Sequence, residues 1–263
     1  HCRLAADFMG ATKMDRPEWG GVNPANNEVY MAMTNNSQRD GVKIPLNAAN
    51  PRPINQNGQI VRWKEEGSQA GTKFQWDIYV FGSATELPDG HKNKSENLSG
   101  LTAANDFSSP DGLYFDERKD GGAGLLWIQT DDGAYTDVTN CMMLAALPGK
   151  VGDGAKKTLN YTKADGSTLA VDTYVGKAPT ADTLRRFLVG PKDCEITGIA
   201  ETPDGKALFV NIQHPGEGTK MADIGDPAKY TSQWPANAGY GAGKRPRSAT
   251  IVITKNDGGR VGS

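Results

Sequence analysis

The apolar residues of this chain occur in short runs of four to eight residues, each bounded by residues that favour turns. Runs of this length, rich in β-branched and aromatic side chains, predict β-strands. Helical periodicity extends over no more than a turn or two, near 178–184. Gly and Pro, 32 and 15 of the 263 residues, are spread along the chain and argue against a helix bundle. We therefore predict an all-β fold with strands at Val29–Met33, Ile60–Trp63, Phe74–Phe81, Leu125–Ile128, Ala207–Ile212 and Ala249–Ile253.

The predicted strands recur in three similar units, each of which opens with an acidic residue. Glu18, Asp111 and Glu195 each precede an apolar segment, a turn and a second strand that ends in polar residues. Two of the units continue into a further pair of strands, and four strands in a repeated unit are typical of a β-propeller blade. The acids are 93 and 84 residues apart in sequence, about twice the length of a lean blade. We therefore expect long inserted loops, and the polar, Gly-rich candidates are 92–106, 150–179 and 215–245.

The number of units bears on the domain organisation. Three blades do not close a ring, because propellers typically contain four to eight. An open half-ring would also expose long strand edges, which soluble proteins avoid. We therefore expect residues 1–263 to form the C-terminal half of a single β-propeller domain, with about three blades here and the N-terminal blades absent from this chain. The missing N-terminal half of the same protein would be its partner.

Charge and hydropathy exclude two classes of partner. Lys and Arg total 29 against 31 for Asp and Glu, so the basic excess of a nucleic-acid-binding protein is missing. No stretch of 18 consecutive apolar residues occurs, so we predict no membrane span. Cys2, Cys141 and Cys194 lie far apart in sequence without C-x-x-C spacing. This excludes a disulfide-rich scaffold and a cysteine-based zinc site, although a single disulfide would still fit.

The three acids that open the units are candidate metal ligands. In a propeller the innermost strand of each blade lines the central channel, so Glu18, Asp111 and Glu195 would face one funnel. Three neighbouring carboxylates do not all stay ionised without a cation, and oxygen ligands favour Ca²⁺, or Fe³⁺ when an oxo group or thiolate joins them. Arg16, two residues before Glu18, would offer its guanidinium to a phosphate or carboxylate. The structural alternative is that each acid is an ordinary turn or capping residue.

Several other polar residues have both a functional and a structural interpretation. Asp131 and Asp132 would be either further metal ligands or part of an ordinary turn, and we leave the two open. Asn47, Asn50 and Arg52 would line the mouth of the channel, but a plain loop fits them better. The structural interpretation is also preferred for the remaining two residues, a hydrogen-bonded histidine and a buried small side chain: His214 and Cys194.

Five segments, taken together and in order, give the chain a family resemblance. They are Arg16-Pro17-Glu18-Trp19, Asn50-Pro51-Arg52, Pro110-Asp111-Gly112-Leu113, Cys194-Glu195-Ile196-Thr197-Gly198 and Gln213-His214-Pro215-Gly216. They resemble the C-terminal half of the PhoX-type alkaline phosphatases. The resemblance implies a six-bladed propeller, export by the twin-arginine route to the periplasm or beyond, and an Fe³⁺ and Ca²⁺ cluster that hydrolyses phosphate monoesters. It also implies that Arg16 contacts the phosphate and that Glu18, Asp111 and Glu195 bind metal.

One expected segment of the family pattern is missing. The N-C-A-G-G segment, whose cysteine bridges the irons in that family, lies in the N-terminal half and does not occur in this sequence. We therefore expect the isolated chain to be inactive unless the missing half is supplied. Two alternatives differ in class: a calcium-dependent lactonase-like propeller that opens lactones without iron, and a non-catalytic extracellular binding propeller without a channel metal.

Overall fold

The fold is known from a computed structural model that describes residues 1–116, 124–131, 133–135, 138–163, 165–236 and 243–263. Within these residues the chain is almost entirely β-structure, arranged in three separate sheets. The predicted all-β class is therefore confirmed. Each predicted strand lies within an observed one or overlaps it closely.

The first sheet has six strands and the other two have four and three. In sheet order the first contains β1 (Pro17–Val22), β2 (Val29–Met33), β3 (Gln59–Glu65), β4 (Phe74–Phe81), β9 (Thr168–Val175) and β8 (Ala155–Thr162). The second contains β10 (Leu184–Val189), β7 (Met142–Ala146), β6 (Leu126–Thr130) and β5 (Pro110–Phe115). The third contains β11 (Glu195–Glu201), β12 (Ala207–Gln213) and β13 (Ala249–Thr254).

Within each sheet the strands that we assigned to one unit pair antiparallel with their neighbours in chain order. The exception is the hairpin β8–β9, which joins the first sheet through a parallel pairing of Ile78 with Val175. We predicted a long loop over 150–179, and that prediction was wrong. Val171, Thr173 and Val175 are buried while Asp172 and Tyr174 between them are exposed, which is the period of a half-buried strand. The segment 150–179 is polar and Gly-rich, and for that reason the alternation was not recognised in the sequence.

Helical structure is sparse in the described residues. It comprises α1 (Cys2–Phe8) and two single 3₁₀ turns at Met221–Asp223 and Pro227–Lys229. Near 178–184, where the sequence shows a turn or two of helical periodicity, the chain forms one hydrogen-bonded turn that leads into β10. The helix α1 buries none of its side chains, so its sequence lacks the apolar stripe from which a helix is usually predicted. No described helix is long and apolar enough to cross a bilayer.

The three sheets stack face to face, with the second in the middle. One face of the second sheet, including Leu126 and Leu144, packs against Tyr30 and Ile60 of the first sheet. Its opposite face packs against the third sheet in a second apolar cluster: Trp127, Met143, Ile196, Leu208 and Val210. In this stack β1 contacts β5, and β5 contacts β11. The first strands of the three sheets therefore lie side by side, and each carries one of the predicted acids.

Candidate metal centre

The same backbone device precedes the acid in each of the three sheets. Arg16, Ser109 and Asp193 stand two residues before Glu18, Asp111 and Glu195, and their φ angles are 42°, 49° and 54°. Non-glycine residues seldom adopt this left-handed conformation, which persists only where the surrounding structure enforces it. The first strand of each sheet then pairs with the second through an irregular register. Such bulges re-aim side chains, so the repeat seen in the sequence is also a repeat of backbone geometry.

Three carboxylates converge where β5 and β11 meet. One oxygen each from Asp111, Asp131 and Glu195 lies within 4.8 Å of the others. Asp111 and Glu195 are partly buried, whereas Asp131 is exposed. Asp131 follows β6 directly, and its backbone N–H donates to the carbonyl of Ser109 (3.0 Å). The structure thus brings together two of the predicted acids and one of the two residues left open, while Asp132 lies outside the described residues.

The crowding of these acids changes their protonation. Burial and the charge of Glu18 are the main causes that raise the pKa of Asp111. Burial and the charges of Asp131 and Asp111 raise the pKa of Glu195 from 4.5 to about 7. Carboxylates held together in this way favour either a shared proton or a cation between them. Carboxylate oxygens are the ligands that hard cations prefer, so the residues present fit a metal ion.

Glu18 and Arg16 lie at the side of this cluster. The charge of Glu18 raises the pKa of Asp111, and the charge of Arg16 lowers it, so both side chains act on the same carboxyl group. Glu18 is exposed and does not belong to the compact set of three oxygens. The Arg16 guanidinium donates from one terminal nitrogen to Asn35 Oδ1 (2.7 Å). Three of the four predicted site residues are therefore acidic. The fourth, Arg16, is cationic and lies at the edge of the acidic cluster.

Two residues that directly follow one another hold the Glu195 carboxylate. Gln213 Nε2 donates to Glu195 Oε2 (2.6 Å), and His214 Nε2 lies 3.3 Å from the same oxygen. His214 Nδ1 lies 3.0 Å from a carboxylate oxygen of Glu217, in an ion-pair contact without hydrogen-bond geometry. The interpretation of His214 as a structural histidine missed its contact with a candidate ligand. The available signal was position, since His214 directly follows β12 as Asp131 directly follows β6.

The remaining candidates have structural roles. Asn50 is buried and its Oδ1 accepts from the backbone N–H of Asp15 (2.8 Å). Arg52 is buried, donates to the carbonyls of Gly82 (2.8 Å) and Glu96 (2.9 Å), and has its pKa lowered to about 9 by burial. Both fasten loops, as we preferred. Asn47 accepts from Asn50 and joins the same loop.

The cysteines take no part in the cluster. Cys194 is buried beside Glu195, and burial raises the pKa of its thiol to about 12. A thiol of this kind is a poor metal ligand, because binding requires the thiolate. Cys141 is also buried, Cys2 is exposed, and no disulfide joins the three residues.

Two comparisons with known proteins identify the family. The family model described as "Alkaline phosphatase PhoX" matches residues 1–216. The chain belongs to the PhoX alkaline phosphatase family. A solved structure of Pseudomonas fluorescens PhoX in complex with vanadate, a transition-state analogue, matches with a TM-score of 0.73 and 35% sequence identity. The match covers 100% of this chain and 37% of that chain, so the present chain spans little more than a third of its PhoX relative. No curated protein sequence matches it.

The raised pKa of Glu195 gives a measurable pH dependence when no metal is bound. A carboxyl group whose folded pKa exceeds its unfolded value destabilises the protein as pH rises from about 4.5 to about 7. With a chelator present, we expect Glu195→Gln to become more stable than the wild type over this window, by roughly 1–2 kcal/mol after allowance for solvent screening. Urea unfolding at pH 4.5, 6 and 8 measures the difference.

The exposed Glu66→Gln is the control and should show no such pH-dependent gain. Saturating Ca²⁺ should reverse the ranking, because the wild-type carboxylate then holds a cation that the amide holds poorly. A constant difference between Glu195→Gln and the wild type across pH would contradict the crowding of Glu195.

Proposed function

We propose that this chain forms part of a PhoX-type phosphomonoester hydrolase. The observation that carries the proposal is the carboxylate cluster Asp111, Asp131 and Glu195, with Arg16 at its side, where the first strands of the sheets meet. A metal centre beside a guanidinium suits a phosphate dianion, because both neutralise charge on its oxygens. Vanadate is named as a transition-state analogue in the Pseudomonas fluorescens PhoX structure, which supports the same chemistry here.

In this proposal the chain's residues divide the work between metal and phosphate. Glu18, Asp111 and Glu195 would hold Ca²⁺ and Fe³⁺. When bound, such ions act as Lewis acids on the phosphoryl oxygens and as a template for in-line displacement. The Arg16 guanidinium would bind the phosphate oxygens and orient the ester, and water would supply the oxygen that replaces the departing alcohol. Gln213 and His214 keep the Glu195 carboxylate in place.

We further propose that the three stacked sheets are consecutive blades of a six-bladed propeller, the rest of which comes from the N-terminal half of the same protein. The outer face of the first sheet, turned away from the second, supports this. It carries an apolar groove of about 650 Å³ whose larger side chains are Met14, Met31, Met33, Trp63, Phe74 and Trp76. A preceding blade would cover such a face. By family, the complete protein would be exported to the periplasm or beyond.

A second candidate function shares part of this site. The compact cluster offers only carboxylate oxygens, the ligand type that Ca²⁺ takes. A calcium-dependent lactonase-like propeller would use such a centre without iron and would leave phosphate esters intact. A non-catalytic extracellular binding propeller would need neither the metal nor the guanidinium.

One experiment separates these functions. The protein is purified as its natural host makes it, analysed for Fe and Ca, and assayed with p-nitrophenyl phosphate and with a γ-lactone, before and after chelation. We expect both metals and phosphatase activity that falls at least tenfold on chelation and returns when Ca²⁺ and Fe³⁺ are restored. We expect the 263-residue chain alone to hydrolyse neither substrate.

The other outcomes each decide against the proposal. Lactone opening with Ca²⁺ alone would establish the lactonase-like function. Absence of metal and of both activities in the purified protein would contradict the phosphatase and lactonase-like functions and leave the binding propeller. Full phosphatase activity of the 263-residue chain alone would overturn the requirement for an N-terminal half.

A further inference from the structure

We infer that Asn35 is a positioning residue that fixes the Arg16 guanidinium beside the carboxylate cluster. The inference rests on the proposed function, in which Arg16 binds phosphate. Asn35 is the second residue after β2 and is not itself a member of the carboxylate cluster. Its role follows from what its two amide atoms bind.

The Asn35 side chain bridges two of the three equivalent turns. Its Oδ1 accepts from Arg16 Nη1 (2.7 Å), and its Nδ2 donates to Ser109 Oγ (3.2 Å). Arg16 and Ser109 are the left-handed residues that stand two positions before Glu18 and Asp111. One amide therefore ties the cationic group of the first sheet to the turn that carries the carboxylate of the second.

The Ser109 end of this bridge is rigid. Ser109 is fully buried, and its N–H donates to the carbonyl of Asn57 (3.1 Å). Its own carbonyl accepts from the N–H of Asp131 (3.0 Å), so the same residue also fixes the start of the turn that carries Asp131. Arg16, in contrast, is exposed. A long exposed side chain loses rotamer entropy on binding a ligand unless it is held beforehand.

The neutrality of the amide also matters. Oδ1 of an asparagine orients a guanidinium without cancelling its charge, and leaves the other N–H groups of Arg16 for an anion. An aspartate in the same place would form an ion pair with Arg16 and add a fourth negative charge near Asp111. The chemistry therefore favours an amide here, and predicts that Asn35→Asp is more harmful than Asn35→Ala.

The test is a double-mutant cycle on the metal-loaded protein as its natural host makes it. Binding of inorganic phosphate is measured by calorimetry, and kcat and KM with p-nitrophenyl phosphate, for the wild type, Asn35→Ala, Asn35→Asp, Arg16→Ala and Arg16→Ala/Asn35→Ala. We expect Asn35→Ala to weaken phosphate binding about tenfold and Asn35→Asp more than that. In the Arg16→Ala background, removal of Asn35 should have no further effect.

The neighbouring asparagine provides a matched control. Asn36 Nδ2 donates to Asp15 Oδ1 (2.8 Å), whereas the Arg16 guanidinium donates to Asn35, so Asn36→Ala should lower the thermal midpoint while phosphate affinity stays unchanged. Asn35→Ala should weaken phosphate binding while its thermal midpoint stays close to that of the wild type.

The outcomes distinguish the inference from the proposed function beneath it. Two results would overturn the positioning role while the proposed function stands, provided that Arg16→Ala itself weakens phosphate binding. In the first, Asn35→Ala does not weaken phosphate binding. In the second, Asn35→Ala weakens phosphate binding by the same factor in the wild type and in the Arg16→Ala background. If Arg16→Ala leaves phosphate binding unchanged, the phosphate role of Arg16 fails and the inference fails with it.

Discussion

Replacement of Arg16 by alanine is expected to lower kcat/KM for a phosphate monoester by about 10²- to 10³-fold, the usual cost of removing one preorganised donor from a charged transition state. The guanidinium is the only cationic group among the four predicted site residues, and its charge acts directly on Asp111. Its loss leaves the bound metal ions alone to neutralise the charge of the phosphate. The measurement is steady-state hydrolysis of p-nitrophenyl phosphate by the metal-loaded protein.

Two further variants show whether the effect belongs to this position. Arg16→Lys should recover part of the activity, because an ammonium supplies charge but not the forked geometry of the guanidinium. Arg185→Ala removes an exposed arginine that pairs with Asp182 (2.7 Å), and its activity should equal that of the wild type. Unchanged hydrolysis by Arg16→Ala would remove this residue from the proposed site.

The sequence predicted those parts of the site that depend on a repeat. Glu18, Asp111 and Glu195 open equivalent units, and in the structure the residue two positions before each of them has a left-handed backbone conformation. A repeated backbone conformation leaves a trace in sequence, because the acid, the turn and the strand after it keep their order. The stacking of the sheets then brings β1, β5 and β11 side by side.

The parts that were missed depend on contacts between segments distant in sequence. Asn35 meets Ser109 across 74 positions, and Gln213 meets Glu195 across 18. Neither pair has a spacing that any local rule marks. Glu18, which the family resemblance implied to bind metal, lies outside the compact set of three oxygens, whereas Asp131, left open on sequence, belongs to it. Strand pairing decides such placements, and one bulge changes which side chains face the site.

Replacement of Asp77 by alanine is expected to cause the largest loss of stability, about 3–5 kcal/mol, because it leaves a buried charge without its main partner. Arg62 is fully buried, and its guanidinium donates to both Asp77 oxygens (2.7 and 3.1 Å). Asp153 also accepts from Arg62 (2.6 Å), but it lies nearer the surface. Asp77 also accepts from the N–H of Gly152 (2.7 Å), so the substitution frees the segment that leads into the β8–β9 hairpin as well.

The matched control is an ion pair of similar length on the solvent-exposed surface of the protein. Lys156 and Asp172 approach to 2.6 Å with more than half of each side chain exposed, so Asp172→Ala should destabilise the protein far less than Asp77→Ala does. Urea unfolding of the two variants and the wild type measures both values. Equal losses of unfolding free energy for Asp77→Ala and Asp172→Ala would contradict the role of Asp77 as the main partner of Arg62. In that case the buried guanidinium would be held by its remaining acceptors, Asp153 and the carbonyl of Pro148, and the first sheet would not depend on Asp77.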